Sequence, residues 1–395
     1  MSEARKRYVA VALLVMLAAL PSTASGQRRS ESGGSLDLTV GGYGISFGNS
    51  ERVNGLRFNW SDRRLDLING VNVTFWRPAD RPGGTINGLA VGGAPAADRL
   101  HGLAAGLVVL PGRRTAGLTA SVLATVGEGT LNGVNIGGLA LVSERRLNGL
   151  SLGGLAAVSE GNVTGLSVAG LALVSGNAVT GIGIGGLALV ADGSVTGINA
   201  GGLGLVAEGS VTGINAGGLG LVADGSITGI NAGGLGLVAD GSITGINAGG
   251  LGLVADGSIT GINAGGLALV ADGSIAGVAL GGLAVVSGGD IAGLSASLGA
   301  VETSRRMSGL AVGGYKVESW RLEGASLAIV RTRIRHLRGL AVGAYNHVER
   351  SQEGLVIGLY NRARRLNGVQ LGLLNYAGNN SPGLRYLPLI NLHFD

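Results

Sequence analysis

The sequence predicts an all-β fold, a flattened two-sided β-solenoid in which each coil takes about 16 residues. Glycines recur at intervals of 16 residues from Gly133 to Gly309, and such a period is typical of stacked repeat architectures. Each copy carries two turn signals, Asp-Gly and Gly-Gly, as in the unit DGSITGINAGGLGLVA of residues 224–239. Between these turns lie two short aliphatic runs without a helical stripe, which favours strands.

The composition favours a thin, layered core over a globular one. Of the 395 residues, 78 are glycine, 46% are hydrophobic and only 4% are aromatic. Glycine without a three-residue period excludes collagen, and the abundance of Val, Leu and Ile excludes a disordered chain. Small and β-branched residues that stack in layers can fill such a core.

Residues 1–26 have the pattern of a secretory signal peptide. Three basic residues, Arg5 to Arg7, precede the apolar run 8–20, and Pro21 ends that run before small residues. Thirteen apolar residues are too few to span a bilayer, which needs about 20. We therefore expect an exported chain without a transmembrane helix after cleavage. The sequence contains no cysteine, so neither a disulfide nor an acylated cysteine is expected.

The rest of the chain divides by the regularity of its repeats. Residues 27–50 are predicted to form a flexible segment and a first strand, followed by irregular repeats over 51–126. The regular 16-residue repeats occupy 127–314, and irregular basic repeats with a terminal cap occupy 315–395. Irregular terminal repeats are expected because they cap a stack instead of continuing it.

One marker glycine per copy, from Gly55 to Gly383, gives 22 copies. Coils that stack about 4.8 Å apart would then build a rod of roughly 100 Å. Ile and Leu columns are expected inside the stack, and Asn and Thr columns are expected to form hydrogen-bonded ladders. The marker glycines suit positions where a coil bends sharply or two segments approach closely.

An outer-membrane β-barrel, with one membrane strand per copy, is the alternative architecture. The exported chain and the C-terminal run LINLHF of residues 389–394 would suit a barrel. Aromatic girdles are missing from residues 77–314, however, and glycine pairs interrupt the would-be strands.

Charge is segregated along the chain. Residues 27–126 carry eleven Arg against seven acids, net +4; residues 127–304 carry two Arg against eleven acids, net −9; and residues 305–395 carry thirteen basic residues against five acids, net +8. The basic ends could attract an anionic envelope surface, or simply be solvated. Nucleic-acid binding is not expected because the chain is exported and its aromatic residues do not interleave with the basic ones.

A column of acids, one per coil, is the first candidate site. Carboxylates stacked about 4.8 Å apart could hold Ca²⁺ between coils. The calcium-binding nonapeptide pattern places Asp after Gly-Gly-x-Gly-x, whereas here Val follows that segment, so solvated turn acids are the alternative interpretation. The candidate acids are Asp192, Glu208, Asp224, Asp240, Asp256 and Asp272.

An arginine strip in the C-terminal repeats is the second candidate. Arg331, Arg333 and Arg335 alternate on one face of a predicted strand, with Arg338 three residues further on. This pattern predicts an anion-binding strip or, alternatively, an exposed edge protected by charge against aggregation. A column with one Thr per coil is a weaker candidate for ice or glycan binding.

The sequence does not predict an enzyme, a metal centre or a cofactor. Cysteine is absent, and the four histidines (His101, His336, His347 and His393) show no metal-ligand spacing. The Gly-x-Ser-x-Gly nucleophile motif is also missing.

The C-terminal repeats resemble a known family. Residues 367–377, NGVQLGLLNYA, are similar to the NGLQ-GL-NYA unit of a family of bacterial surface repeat-containing proteins first named from Leptospira. Residues 379–394 resemble the terminal segment of that family, and GLRFNW at residues 55–60 resembles it more loosely. The central GINAGGLGLVADGSIT array departs from the Asn-Tyr unit. The resemblance implies an exported, surface-associated protein and supplies no catalytic residues.

The function expected from the sequence is that of an exported, non-enzymatic surface repeat protein, an adhesion-type scaffold that presents a repetitive face. Its partner would be an envelope surface or an extracellular glycan or protein, and its location the cell surface, outer membrane, periplasm or exterior. The alternatives are an outer-membrane barrel protein and a polysaccharide-acting β-helix enzyme. The sequence leaves the oligomeric state and the handedness of the solenoid open.

Overall fold

The structure, a computed structural model, describes residues 34–78 and 83–394. The predicted signal peptide therefore lies outside the described residues, as does nearly all of the predicted flexible segment. The residues from Ser35 onward form one compact unit, so the three predicted repeat regions are continuous with one another. Nearly every described residue belongs to a strand or a turn, and the predicted β-solenoid is confirmed, with about 19 turns of about 16 residues.

The N-terminal coils contain six strands of unequal length. These are β1 (Ser35–Val40), β2 (Tyr43–Gly48), β3 (Arg52–Ser61), β4 (Leu67–Trp76), β5 (Thr85–Gly92) and β6 (Ala96–Gly127).

The central coils alternate a long strand with a short one. The long strands are β7 (Thr130–Gly137), β9 (Arg146–Gly153), β11 (Asn162–Ala169), β13 (Val179–Gly185), β15 (Val195–Gly201), β17 (Val211–Gly217), β19 (Ile227–Gly233), β21 (Ile243–Gly249), β23 (Ile259–Gly265), β25 (Ile275–Gly281) and β27 (Ile291–Ser297). The short strands are β8 (Ala140–Ser143), β10 (Ala156–Ser159), β12 (Ala172–Ser175), β14 (Ala188–Ala191), β16 (Gly204–Ala207), β18 (Gly220–Ala223), β20 (Gly236–Ala239), β22 (Gly252–Ala255), β24 (Ala268–Ala271) and β26 (Ala284–Ser287).

The C-terminal coils have longer, continuous strands and one turn of 3₁₀-helix, Pro382–Leu384. The strands are β28 (Ala300–Gly313), β29 (Lys316–Ala328), β30 (Arg331–Val342), β31 (Tyr345–Ala377) and β32 (Tyr386–His393).

Each central strand pairs in parallel with the strands one coil below and one coil above it. Ile227 in β19 lies opposite Ile243 in β21, and Leu237 in β20 lies opposite Leu253 in β22. Residues 16 apart therefore form columns that run along the stack. The alternative barrel prediction required antiparallel neighbours, so this pairing agrees with the solenoid instead.

The core of a central coil is narrow because only five of its 16 residues are buried. In the coil that begins at Ile227, the buried positions are Ile227, Asn231, Gly233, Leu237 and Ala239. The expectation that Ile and Leu columns lie inside is thus correct for Ile227 and Leu237 only. Ile230 and Leu235 of the same coil lie on the outside and are each 50% exposed.

The marker glycines form one column from Gly55 to Gly368, and each adopts a positive φ between 100° and 147°. At Gly213, whose φ is +117°, a Cβ atom would lie 2.1 Å from the carbonyl oxygen of Gly197. Any side chain would therefore meet the backbone of the preceding coil.

Gly383 does not join this column, since it lies in the 3₁₀-helix, and the stack has fewer turns than the 22 copies counted from the sequence.

The buried asparagines form a ladder, as predicted. Each Nδ2 donates to the Oδ1 of the asparagine one coil later, at 2.8–3.1 Å, through Asn199, Asn215, Asn231, Asn247 and Asn263. The predicted threonine ladder does not form: the hydroxyl-bearing Thr228 column is exposed. Serines at the Asp-Gly turn form the second ladder instead, and Ser210 Oγ accepts from the backbone N–H of Ser226 at 3.1 Å.

The internal column that holds the asparagines becomes polar again in the first coils, after Ala104 and Ala90, and there it contains a buried ion pair. Arg57 occupies the column position of the asparagines and donates from Nη1 to Asp62 Oδ1 at 2.7 Å, and both side chains are fully buried. Asn59, Asn72 and Thr74 also donate to the Asp62 carboxylate, at 2.8–3.0 Å. Hydrogen bonds to the charge are what make its burial tolerable.

Both ends of the stack are capped by antiparallel strands, which the sequence did not predict. β1 pairs antiparallel with β2, and β32 pairs antiparallel with β31. Among the described strands, β32 pairs only with β31; it contains Pro388, which has no N–H to donate, and Leu389, which has a positive φ of 64°. Proline and local irregularity on an edge strand oppose further strand addition.

The marker column predicts that Gly213→Ala destabilises the fold by at least about 2 kcal/mol, through left-handed strain and overlap with Gly197. Gly220→Ala in the same coil is the matched control, because its Cβ would meet only the Gly236 oxygen at 3.7 Å. The equivalent positions of nearby coils are Ala188 and Ala268. Urea unfolding of both variants measures the difference, and equal midpoints would contradict the argument.

The asparagine ladder predicts that Asn231→Ala costs about 1–3 kcal/mol, since it leaves Asn215 Nδ2 and Asn247 Oδ1 buried without partners. Asn263→Ala is the control, because Asn263 ends the ladder and its Nδ2 already lacks a partner. The control should cost less in the same unfolding measurement. A larger loss at Asn263 would show that cavity formation, not hydrogen bonding, dominates the column.

Candidate functional site

The outward side of the long strands carries a continuous aliphatic column, one residue after each marker glycine. We call it the outer aliphatic column. Parallel pairing places its members directly above one another, and the five central isoleucines are 50–54% exposed. In the eleven coils from Gly117 to Gly277 the column consists of Leu118, Val134, Leu150, Leu166, Ile182, Ile198, Ile214, Ile230, Ile246, Ile262 and Val278.

A second apolar column lies two residues further along the same strands, on the same side. We call it the second outer column. It is formed by Ala120, Ile136, Leu152, Val168, Ile184, Ala200, Ala216, Ala232, Ala248, Ala264 and Leu280.

The Gly-Gly turn adds a third apolar column at the corner of each coil. These leucines, the corner leucine column, are 41–60% exposed. From Leu139 onward, each backbone N–H donates to the carbonyl oxygen of the leucine one coil earlier. The column consists of Leu123, Leu139, Leu155, Leu171, Leu187, Leu203, Leu219, Leu235, Leu251, Leu267 and Leu283.

A shallow trough runs along the second outer column from Ala232 onward and continues past Leu280 to Val312. Its volume is about 780 Å³, and its floor is formed by Ala232 and Gly234 with their equivalents in the next two coils. Leu280 and Leu298 line one end of it. The outward side of the coil therefore carries three apolar columns and an apolar trough, with the exposed Thr228 column beside them on the long strands.

The candidate calcium column lies at the other corner of the coil, at the Asp-Gly turn. Five of its six acids are exposed and Asp192 is half-buried. Within the described ranges, no group of three or more His, Cys, Asp or Glu side chains could hold a metal ion. Both interpretations of these acids, as a calcium column and as solvated turn residues, stay predictions.

The arginine strip lies on β30, where Arg333, Arg335 and Arg338 are exposed and contact glutamates of neighbouring coils. Arg331 is half-buried, and its Nε is buried without a hydrogen-bond partner. Arg333 Nε and Arg335 Nε donate to the two oxygens of Glu349 at 2.7 and 3.1 Å. Arg338 Nε lies 3.9 Å from Glu353. These contacts form an interleaved set of ion pairs, and the positive charge available to a separate anion is correspondingly reduced.

Ion pairs and burial shift pKa values in these coils. The hydrogen bond from Arg333 is the main cause that lowers the pKa of Glu349, with Arg335 assisting and burial opposing. The hydrogen bond to Glu302 raises the pKa of Lys316. Burial, followed by the charge of Arg350, lowers the pKa of His336, whose Nδ1 lies 2.8 Å from Ser351 Oγ.

A second, smaller cavity of about 390 Å³ lies beside this region, lined by Asp290, Ser304, Arg305, Arg306, Trp320 and Arg321. Arg306 and Arg321 both contact the Glu323 carboxylate. The cavity is thus partly neutralised and open on the surface.

Sequence reasoning overlooked the apolar outward face, although a signal for it was present. The pattern Gly-aliphatic-x-apolar repeats in nearly every copy, and alternate residues of a strand share one face. Those two aliphatics therefore had to lie together on one side, opposite the asparagine between them. The asparagine ladder occupies the inside, which places the aliphatics outside.

No α-helix long and apolar enough to cross a membrane is present among the described residues. Comparison with protein-family models, with curated proteins and with solved structures gives no match for this chain.

The Glu349 ion pairs predict a pH-dependent contribution to stability. The folded-state pKa of Glu349 is lowered. The ionised carboxylate therefore adds to the free energy of unfolding at pH values above the ordinary pKa of a glutamate, and this stabilisation is lost as the pH falls through the folded-state pKa. Glu349→Gln should therefore lower the unfolding midpoint at pH 7, and the difference from the unmodified chain should shrink at the acid end of the range.

Glu353→Gln is the matched control, since Glu353 lies 3.9 Å from Arg338 and both side chains are more than half exposed. Exposed pairs of this kind contribute little. Thermal unfolding at several pH values measures both variants. A Glu349→Gln effect that is constant with pH would contradict an ionic origin.

Proposed function

We propose that this chain is an exported structural repeat protein that presents the apolar face of its long strands as an interaction surface at the cell envelope or outside the cell. The observation that carries the proposal is the outer aliphatic column, which continues through coil after coil on the outside of the stack. Contiguous exposed apolar surface of this extent is typical of interaction sites.

The regularity of the stack supports a structural role over a catalytic one. A catalytic site needs side chains that differ from their neighbours and converge on one point. Here the inward polar groups of the central coils bond to their own equivalents one coil away, and the outward acids repeat at equivalent exposed positions. The repeated surface suits a partner contacted at many equivalent points.

Export and surface location are supported by the sequence of residues 1–26 and by the resemblance of the C-terminal repeats to bacterial surface repeat-containing proteins. The ends of the chain are basic and would be attracted to an anionic envelope. The apolar columns carry no charge, so this face would remain free to contact another surface. In this proposal the chain is a scaffold of the envelope or the extracellular space.

Fractionation of source cells that express a chain tagged after Phe394 tests the proposal. We expect the tagged chain in the envelope or the medium, and we expect deletion of residues 2–26 to retain it in the cytoplasm. Recovery of the full-length chain from the cytoplasm would overturn the export part of the proposal.

A catalytic role is tested separately with the purified chain and a panel of polysaccharides. We expect no turnover. Cleavage that Arg335→Ala abolishes, while Arg364→Ala leaves it intact, would replace the scaffold with a polysaccharide-acting enzyme. Arg364 is a suitable control because it is an exposed arginine of the same C-terminal coils.

A further inference from the structure

We propose that two copies of this chain pair side by side through the apolar face of the long strands. The face consists of the outer aliphatic column, the second outer column and the corner leucine column over the eleven coils from Gly117 to Gly277. This inference deepens the proposed function by naming the partner of the interaction surface, and it rests on that surface being the one the scaffold uses.

The extent of the face is what a stable interface requires. Three outward positions in each of eleven coils are all apolar, whereas a standard interface uses about 20–30 residues on each side. The central isoleucines are half covered by their own neighbours in the column, and the remaining half, 50–54% of each side chain, is open to solvent. Burial of the open part would provide the driving force for pairing.

Charge favours side-by-side pairing over end-to-end stacking. None of the positions in the three columns is charged, and the acids of the central coils lie at the opposite, Asp-Gly corner. The two ends of the chain, in contrast, carry net charges of +4 over residues 27–126 and +8 over residues 305–395. Like charges would oppose an end-to-end contact between copies.

The relief of the face is self-complementary. A trough floored by Ala232, Gly234 and their equivalents runs along the second outer column, and the larger Ile184 and Leu280 replace alanine on either side of the five alanine coils. A copy related by a two-fold axis would place its leucine ridge in this trough and receive the other ridge in return.

The repeat spacing favours a second copy over other occupants. The ridge side chains recur at the strand spacing of about 4.8 Å. A second copy of the chain has protruding side chains at the same spacing. Two such ladders interdigitate along their whole length in the manner of paired sheets with dry interfaces. A lipid surface has no matching period and would gain nothing from this regularity.

Sedimentation of the purified mature chain tests the pairing. We expect a dimer at micromolar concentration, and we expect the triple variant I214K/I230K/I246K to weaken dimerisation at least about 100-fold, because charges would be buried without partners. The matched control is V222K/V238K/V254K, three exposed valines on the short strands of the same part of the stack, 37–42% exposed. The control should dimerise like the unmodified chain.

Single cysteines test the same face without added charge, since the chain has no cysteine of its own. A short bismaleimide should link the I230C variant into a covalent dimer and leave the V238C variant monomeric. Circular dichroism of each variant verifies that the β-structure is retained.

A monomer at about 100 μM, or a dimer disrupted by the valine variant but not by the isoleucine variant, would overturn the pairing. A monomer that floats with phospholipid vesicles in an Ile230-dependent manner would overturn it in favour of a lipid partner. Because these measurements use purified protein, they do not depend on cellular location. A failure of pairing therefore remains separable from a failure of export or of the scaffold role.

Discussion

The stack depends on the close vertical approach of successive coils at the marker glycines. At each of these positions the backbone takes a positive φ, and the preceding coil's carbonyl oxygen occupies the space of a Cβ atom. Because this contact recurs in every coil, it fixes the register of the long strands, and the other columns follow from it. Ile227 lies above its equivalents, Asn231 reaches the next amide, and Ile230 faces outward. One backbone requirement thus positions both the interior and the surface.

Much of this fold could be predicted from the sequence because the period is visible directly. The 16-residue interval, the Asp-Gly and Gly-Gly turns and the asparagine ladder are all local or periodic features. The side on which the aliphatic residues lie was harder to predict, because both faces of the long strand carry apolar residues and hydropathy alone does not distinguish them. The ion pairs of Arg333 and Arg335 with Glu349 depend on register between coils of 14 or 15 residues, which the sequence does not reveal.

The distribution of polarity is partly reversed relative to an ordinary domain. The central internal column is asparagine, while isoleucine and leucine of the same coil are half exposed. The ladder makes the buried amides tolerable, since each bonds to its neighbours and only the terminal members lack one partner. The exposed aliphatics have no such internal compensation, so their apolar surface remains available for contact with something outside the stack.

The antiparallel caps have a consequence for length. Parallel strands at a fixed spacing, with identical side chains stacked in ladders, are also the building plan of amyloid fibrils, in which each new molecule extends an open end. Here β1 and β32 reverse the strand direction at the two ends, and β32 contains Pro388, which has no N–H to donate. Elongation is thereby terminated within a single molecule. The gene, through the number of its repeats, sets a length that in a fibril would be decided by concentration and time.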